Sequence, residues 1–184
     1  LFSEHGYQGT KINMITADAG LSPAAFYLYF KSKLHLYRSL SIIGATILTE
    51  MIEKALKSRG LSGEDKVRAV AGAYFSFFRD EREFYDIISV LHLGQTEFFT
   101  NQELVPHLEE QSLALLELLQ TILDEGVSSG ELKVDDTWKT SAVLWGMMDG
   151  VLLMEVKKAT DYVKVDIETM TDHFLSLMLI SLKN

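Results

Sequence analysis

The sequence predicts an all-α protein with about nine helices, and three observations support this. Only two prolines, Pro23 and Pro106, interrupt its 184 residues, and most of its 12 glycines fall where helices are expected to stop. Apolar residues recur at helical spacing, as at Leu113, Leu116 and Leu119. No five-residue run alternates clearly between apolar and polar residues, and no hairpin dipeptide lies between β-branched runs.

Capping residues and helix breakers place the individual helices. Thr10 is an N-cap candidate for the second helix, which Gly20 ends, and Ser22 caps a third helix whose first position is Pro23. A longer fourth helix follows and stops at Gly60. The predicted helices span residues 1–5, 11–19, 23–30, 32–58, 64–80, 81–93, 102–128, 135–159 and 165–182.

Composition narrows the class of protein. The chain has no cysteine, which excludes a disulfide framework and thiolate metal sites and fits a cytoplasmic protein. The longest nearly uncharged apolar stretch, residues 141–154, is interrupted by Asp149. It is shorter than the roughly 18 to 20 residues that a membrane span needs, so we expect no membrane partner. Because the chain begins at Leu1, inside the end of a predicted helix, we also expect residues to precede it.

Charge is unevenly divided along the chain. Residues 1–40 contain four Lys or Arg and two Asp or Glu, which gives a charge of +2. Because the whole chain has a net charge of −9, the remaining 144 residues have a net charge of −11. Phosphates would repel an acidic body, so only the first segment is expected to meet a polyanion. A balance of +2 is small and does not by itself decide the partner.

Residues 10–33 predict a helix-turn-helix. Two short helices carry apolar residues at spacings that close one helix onto the other, and Gly20 permits the sharp turn between them. The second of these helices begins with four small residues, which let its N-terminus enter the DNA major groove. Its predicted apolar contacts are Ile12, Ile15, Ala19, Leu21, Phe26 and Phe30.

Individual side chains in this motif suit DNA. The methyl of Ala24 or Ala25 can pack on a thymine methyl, while the hydroxyls of Ser22 and Thr10 can donate to a phosphate or a base edge. Because Pro23-Ala24-Ala25 has no side-chain donor, we expect base readout to depend on methyl contacts and DNA shape. The predicted phosphate contacts come from hydroxyl and cationic side chains, namely Lys11, Tyr27, Tyr29, Lys31 and Lys33. The alternative is that the two tyrosines are core aromatics of a helical bundle.

The first 37 residues resemble the DNA-binding signature of the TetR family of bacterial transcriptional regulators. The resemblance rests on the string LFSEHGYQGT followed by INMITADAGLSPAAFYLYFKSKLHLY. Its marks are Phe2, Gly6-Tyr7, Thr10, the turn Ala19-Gly20-Leu21-Ser22, Tyr27, Tyr29-Phe30 and Lys33.

The resemblance implies an all-helical homodimer that inserts the third helix of each subunit into one half of a pseudo-palindromic operator. It divides the chain into a DNA-binding head, residues 1–40, and a ligand-binding and dimerisation body, residues 41–184. The DNA-contacting positions that it implies are Thr10, Ser22, Pro23, Ala24, Ala25, Tyr27, Tyr29 and Lys33. One departure is Leu34, where an acidic residue is common in the family.

Aromatic residues are concentrated in the predicted fifth, sixth and early seventh helices. A cavity lined by rings is the usual form of a small-molecule site, although the same rings can fill a core. We expect two residues of the eighth helix and one histidine to complete the pocket. The predicted ligand-pocket residues are Tyr74, Phe77, Phe78, Phe84, Ile88, His92, Leu116, Trp145 and Met148. No cofactor or metal is implied, because HExxH and glycine-rich phosphate motifs are absent from the sequence.

The eighth helix is apolar nearly all round over residues 141–154, which requires partners on both of its sides. Two glycines four residues apart on one face allow another helix to approach closely. Together with the last helix they predict a four-helix dimer interface, the alternative being burial within one subunit. The predicted interface residues are Gly146, Gly150, Val151, Met170, Phe174, Leu177 and Met178.

The sequence therefore predicts a ligand-responsive transcriptional regulator, a repressor released from its operator by a small apolar or aromatic ligand. The alternative is a helical scaffold or small-molecule-binding protein whose head docks to protein rather than DNA. An enzyme is not expected, because no nucleophile lies beside a placed base.

Overall fold

A computed structural model describes residues 1–89 and 105–183 of the chain. Ten helices and no strand occur in these ranges, which confirms the all-α prediction. The helices are α1 Phe2–Gly9, α2 Ile12–Asp18, α3 Pro23–Tyr29, α4 Lys33–Leu56, α5 Gly63–Asp80, α6 Arg82–Ile88, α7 Val105–Ser128, α8 Thr137–Val156, α9 Ala159–Val163 and α10 Ile167–Ser181. None of the helices in the described ranges is long and apolar enough to cross a membrane.

Most boundaries lie within a few residues of those predicted, and three differ. The first helix does not stop at Gly6 but kinks there, at φ 66°, and continues to Gly9. The N-cap of α2 is Lys11 and not Thr10. The predicted helix 135–159 ends at Val156, because Lys158 adopts a left-handed conformation and a short separate helix, α9, follows. The predicted end of the sixth helix at residue 93 and the predicted start of the seventh at residue 102 lie outside the described residues.

The chain forms two compact units. Unit 1 contains Leu1–Ile47 and Glu81–Glu109, and unit 2 contains Leu48–Asp80 and Glu110–Asn184. The units are groupings by packing, whereas the predicted head and body are a division by function, which stays a prediction.

The core of unit 1 is built around Tyr37 of α4. Its buried ring meets the rings of Phe2 and Tyr7 edge-on, at centroid distances of 5.1 and 5.2 Å. Its hydroxyl donates a 2.7 Å hydrogen bond to the carbonyl of Ile87 near the end of α6. Burial raises the pKa of the Tyr37 hydroxyl, so it remains a donor throughout the physiological range. Tyr37 therefore joins α1, α4 and α6.

Unit 2 is held together by packing of α10 and α8 against each other and against α5. Phe75 and Phe174 meet edge-on at 5.7 Å between centroids, and Leu144 and Leu152 are buried on α8. The Tyr74 hydroxyl donates a 2.5 Å hydrogen bond to a carboxylate oxygen of Asp149. This bond satisfies a buried hydroxyl that would otherwise destabilise the apolar core.

The turn after α7 shows two different uses of glycine. Gly130 has φ +76°, the left-handed conformation that commonly follows the end of a helix. Gly126 lies within α7 and does not have a positive φ. A Cβ at Gly126 would lie 2.5 Å from a methyl of Leu132, so glycine is needed there for close approach.

Candidate nucleic-acid interface and small-molecule site

The connection between α2 and α3 is a tight turn of the helix-turn-helix type. Gly20 has φ +65°, and the Leu21 amide donates to the Thr16 carbonyl at 2.8 Å. The Ser22 hydroxyl oxygen accepts a 3.1 Å hydrogen bond from the Ala25 amide, with Pro23 at the first helical position. These contacts confirm Ser22 as the N-cap of α3 and fix where that helix begins.

Most of α3 is open to solvent. Phe26 is its only buried residue, and Phe26 and Phe30 are in ring contact at 5.6 Å. Tyr27 is 57% exposed and Tyr29 71%, so the alternative that they are core aromatics does not describe this structure. Ser22, Pro23 and Ala24 are also exposed, and Ala25 is half-buried. The predicted α3 contacts thus lie on a surface that DNA can reach.

The lysines of the motif fall into two groups. Lys11 and Lys31 are exposed, as phosphate contacts require. The Nζ atom of Lys33 instead donates to the carbonyls of Tyr7 and Thr10, at 2.5 and 2.8 Å, and lies 4.2 Å from the centre of the Tyr7 ring. Burial lowers the pKa of Lys33. Lys33 therefore holds the end of α1 against the start of α4.

Thr10 also faces inward. Its side chain is fully buried, and its hydroxyl donates to the Gly6 carbonyl at 2.7 Å and the Leu1 carbonyl at 3.3 Å. This hydroxyl is used to close the connection after α1, and its placement gives no support to a DNA contact. The sequence motif placed Thr10 and Lys33 among the DNA-contacting residues. Their side chains point inward here because tertiary packing, which the motif does not specify, sets the direction of a side chain.

Six predicted pocket residues lie in unit 2, where α5 and α8 pack together. Trp145 is half-buried and the other five are buried, namely Tyr74, Phe77, Phe78, Leu116 and Met148. Two others, Phe84 and Ile88, are in unit 1, where both lie close to Gly44. His92 lies outside the described residues. The unit 2 group is apolar apart from the Tyr74 hydroxyl and the Trp145 indole, a composition suited to an apolar ligand.

Unit 1 contains a cavity of about 350 Å³ between its helices. Its lining is apolar at Phe2 and Leu36 and acidic at Glu4, Asp18 and Glu83. Among the predicted pocket residues that the structure describes, Phe84 alone contributes to it. The acidic rim disfavours an anionic ligand there.

The predicted dimer residues divide into an open and a covered set. Gly146, Gly150 and Leu177 are exposed, and a Cβ built at either glycine would meet no atom within 4 Å. Val151 and Met170 are half-buried, while Phe174 and Met178 are buried inside unit 2. Two further exposed apolar residues of α8, Val143 and Met147, lie near the glycines and were not among the predicted interface residues. Their spacing of four residues was the signal that could have identified them.

The tight turn between α2 and α3 and the exposed face of α3 define a helix-turn-helix, the class of motif in which the second helix, the recognition helix, enters the DNA major groove. A family model described as "Bacterial regulatory proteins, tetR family" matches residues 1–40, and one described as "Tetracyclin repressor-like, C-terminal domain" matches residues 67–178. The chain belongs to the TetR family. This confirms the predicted class, a ligand-responsive transcriptional regulator whose partners are operator DNA, a small-molecule effector and a second copy of itself.

The chain is similar over its full length to known regulators. The fatty acid metabolism regulator protein of Bacillus subtilis (strain 168) is 26% identical over 185 residues, covering 100% of this chain and 91% of that protein. The structure of FadR from Bacillus subtilis in complex with stearoyl-CoA has a TM-score of 0.78 and 24% identity, covering 98% of this chain and 93% of that one. FadR from Bacillus halodurans has a TM-score of 0.78 and 23% identity, covering 97% and 88%. These relatives are regulators and not enzymes.

Proposed function

We propose that this chain is a cytoplasmic repressor, without enzymatic activity, that a long-chain fatty acyl thioester releases from a pseudo-palindromic operator. The observation that carries the proposal is the match of the whole chain to a regulator of fatty acid metabolism. The stearoyl-CoA held by a protein of the same fold supports the choice of effector.

The apolar residues of unit 2 supply the chemistry for an acyl chain. We propose that it binds among the predicted pocket residues on α5, α7 and α8. Because most of these side chains are buried in this structure, an acyl chain has to separate them. Separation favours a second conformation of the dimer, in which the two recognition helices are no longer about 34 to 36 Å apart. A 100-fold loss of operator affinity needs about 2.7 kcal/mol of preference for that conformation.

DNA release by defined ligands tests the repressor proposal. A duplex that the protein selects from a randomised library is labelled, and its anisotropy is followed while stearoyl-CoA, free stearate or CoA is added. We expect stearoyl-CoA to release the duplex and CoA alone to leave it bound, because only the acyl chain fills an apolar pocket. Unchanged operator affinity at saturating acyl-CoA of every chain length would contradict the proposal.

Tryptophan fluorescence tests where the ligand binds. The chain has two tryptophans, and the Trp138→Phe variant leaves Trp145 as the only one. We expect stearoyl-CoA to change Trp145 emission in this variant over the concentration range that releases DNA. Release of DNA with no change in Trp145 emission would place the ligand elsewhere.

A further inference from the structure

Leu28 of α3 is placed in an unusual way for a leucine. It is 82% exposed, which makes it the most exposed large apolar side chain in the part of the chain that the structure describes. An exposed leucine on an ordinary surface needs no explanation, but this one lies on the helix that a helix-turn-helix protein presents to DNA.

The register of α3 puts Leu28 at the centre of the exposed face. Successive residues of a helix are rotated by roughly 100°, so Ala24 and Leu28, four residues apart, share one face. That face is opposite Phe26, the residue through which α3 is anchored in unit 1. Tyr27 and Tyr29 project on either side of it. The middle of the exposed face is therefore apolar and its two flanks carry hydroxyls.

The chemistry of this face selects among the groups that DNA offers. Leucine has no donor or acceptor, so it cannot bind a phosphate or the polar edge of a base. The one apolar group on the base edges of the major groove is the 5-methyl of thymine. Exposed Lys31, close after Leu28, and exposed Lys11 provide cations for phosphates beside such a contact.

We propose that Leu28 is a specificity-determining residue that packs on a thymine methyl in each operator half-site. The inference rests on the proposed function and deepens it, because it assigns readout to a side chain that the motif had left out. It predicts an operator with a thymine that cannot be replaced by another base or by uracil without loss of affinity.

Removal of single methyl groups from the DNA tests the proposal. The full chain selects a duplex from a randomised library, and each symmetric pair of thymines is then replaced by deoxyuridine, which pairs in the same way but lacks the methyl. Burial of one methyl corresponds to roughly a fourfold change in affinity. Because the thymine that Leu28 contacts occurs once in each half-site, replacement of that one symmetric pair is expected to weaken binding of the duplex by about 15-fold. For the Leu28→Ala variant we expect the same replacement to change affinity by less than about twofold, as in a double-mutant cycle.

Two controls separate readout from folding and from a failure of the protein to bind DNA. The Leu28→Ala variant is expected to unfold at the same temperature as the wild type, because the Leu28 side chain is exposed. The Leu113→Ala variant changes an exposed leucine of α7 and is expected to lose as much affinity on uracil replacement as the wild type does. Two outcomes would overturn the assignment of Leu28 and leave the proposed function standing. In one, the wild-type protein selects a duplex but tolerates uracil at every position; in the other, the Leu28→Ala variant keeps the uracil sensitivity of the wild type. Failure to select any sequence overturns the proposed function and this inference with it.

Discussion

The helices α3 and α8 both expose apolar side chains, and the surroundings of those side chains differ. On α3, Leu28 lies between exposed tyrosines and is followed by exposed Lys31. On α8, the exposed positions 142, 143, 146, 147 and 150 are uncharged, and two of them are glycine. Lys139, one turn before Val143, is also exposed, and its amine is paired with the Asp136 carboxylate at 2.8 Å. The helix α3 carries a narrow apolar strip with cations nearby, whereas α8 carries a wider apolar face that has no exposed charge between residues 142 and 150.

The difference indicates two kinds of partner. Cations beside an apolar strip suit a polyanion that also presents methyl groups, which describes the DNA major groove. An uncharged face with glycines lets another helix approach closely and bury apolar area. A second copy of the chain presents the same face and is a suitable partner for it. Apolar exposure alone is therefore ambiguous, and the neighbouring residues decide what it binds.

The largest effect is expected from charge placed on the α8 face. The double substitution Val143→Glu and Met147→Glu puts carboxylates where we propose that two subunits meet, and burial of unpaired charge costs several kcal/mol. We expect a monomer in sedimentation experiments and at least about 100-fold weaker operator binding, because one head then contacts one half-site.

The matched control for that experiment is Leu113→Glu, which adds charge at another exposed leucine. It is expected to leave both the dimer and operator affinity intact. A dimeric Val143→Glu, Met147→Glu protein would show that the subunits associate through another surface.

An intermediate effect is expected from two lysines close together in sequence. Lys33→Met leaves the carbonyls of Tyr7 and Thr10 without their donor, so we expect the free energy of unfolding in urea to fall by about 1 to 3 kcal/mol. Lys31→Met alters an exposed side chain, so we expect unchanged stability. It should instead reduce the slope of log K against log salt by about 0.9 per phosphate contact, or about 1.8 for two subunits.

Each of these lysine variants serves as the control for the other. If log K falls with log salt at the same slope for Lys31→Met and for the wild type, Lys31 does not contact a phosphate. A stable Lys33→Met protein with a reduced salt slope would instead return Lys33 to the phosphate contacts that the sequence predicted.

The smallest effect is expected from Gly146→Ala. In the single chain the added methyl meets no atom within 4 Å, so alanine should stabilise α8 by up to about 1 kcal/mol. Between two subunits the same methyl keeps the helices apart, so dissociation on dilution should occur at a higher protein concentration. Gly72→Ala in α5, which is also free of close atoms, should stabilise the chain without changing dimer dissociation.

The sequence predicted the elements because their signals are local. Ser22 followed by Pro23 marks a helix start and Gly20 marks a turn, and each has the expected conformation here. The short helix α9 was missed because its separation depends on Lys158 in a left-handed conformation, which lysine rarely adopts.

Site residues were harder to predict because their roles depend on packing between helices. Ser22, Tyr27 and Tyr29 are exposed as a DNA contact requires, whereas Thr10 and Lys33 turn inward and donate to backbone carbonyls of α1 and of Thr10. Leu28 was not predicted as a site residue because a leucine at helical spacing is usually buried in a core, whereas here its side chain is exposed.

The central claim is that this chain binds operator DNA as a dimer through α3. The most direct test is an anisotropy titration of the full chain against its selected duplex and a random duplex at about 50 and 200 mM salt. We expect two protomers or more per selected duplex, much weaker binding to random DNA, and affinity that falls steeply with salt. Equal affinity for both duplexes, or binding insensitive to salt, would contradict the claim.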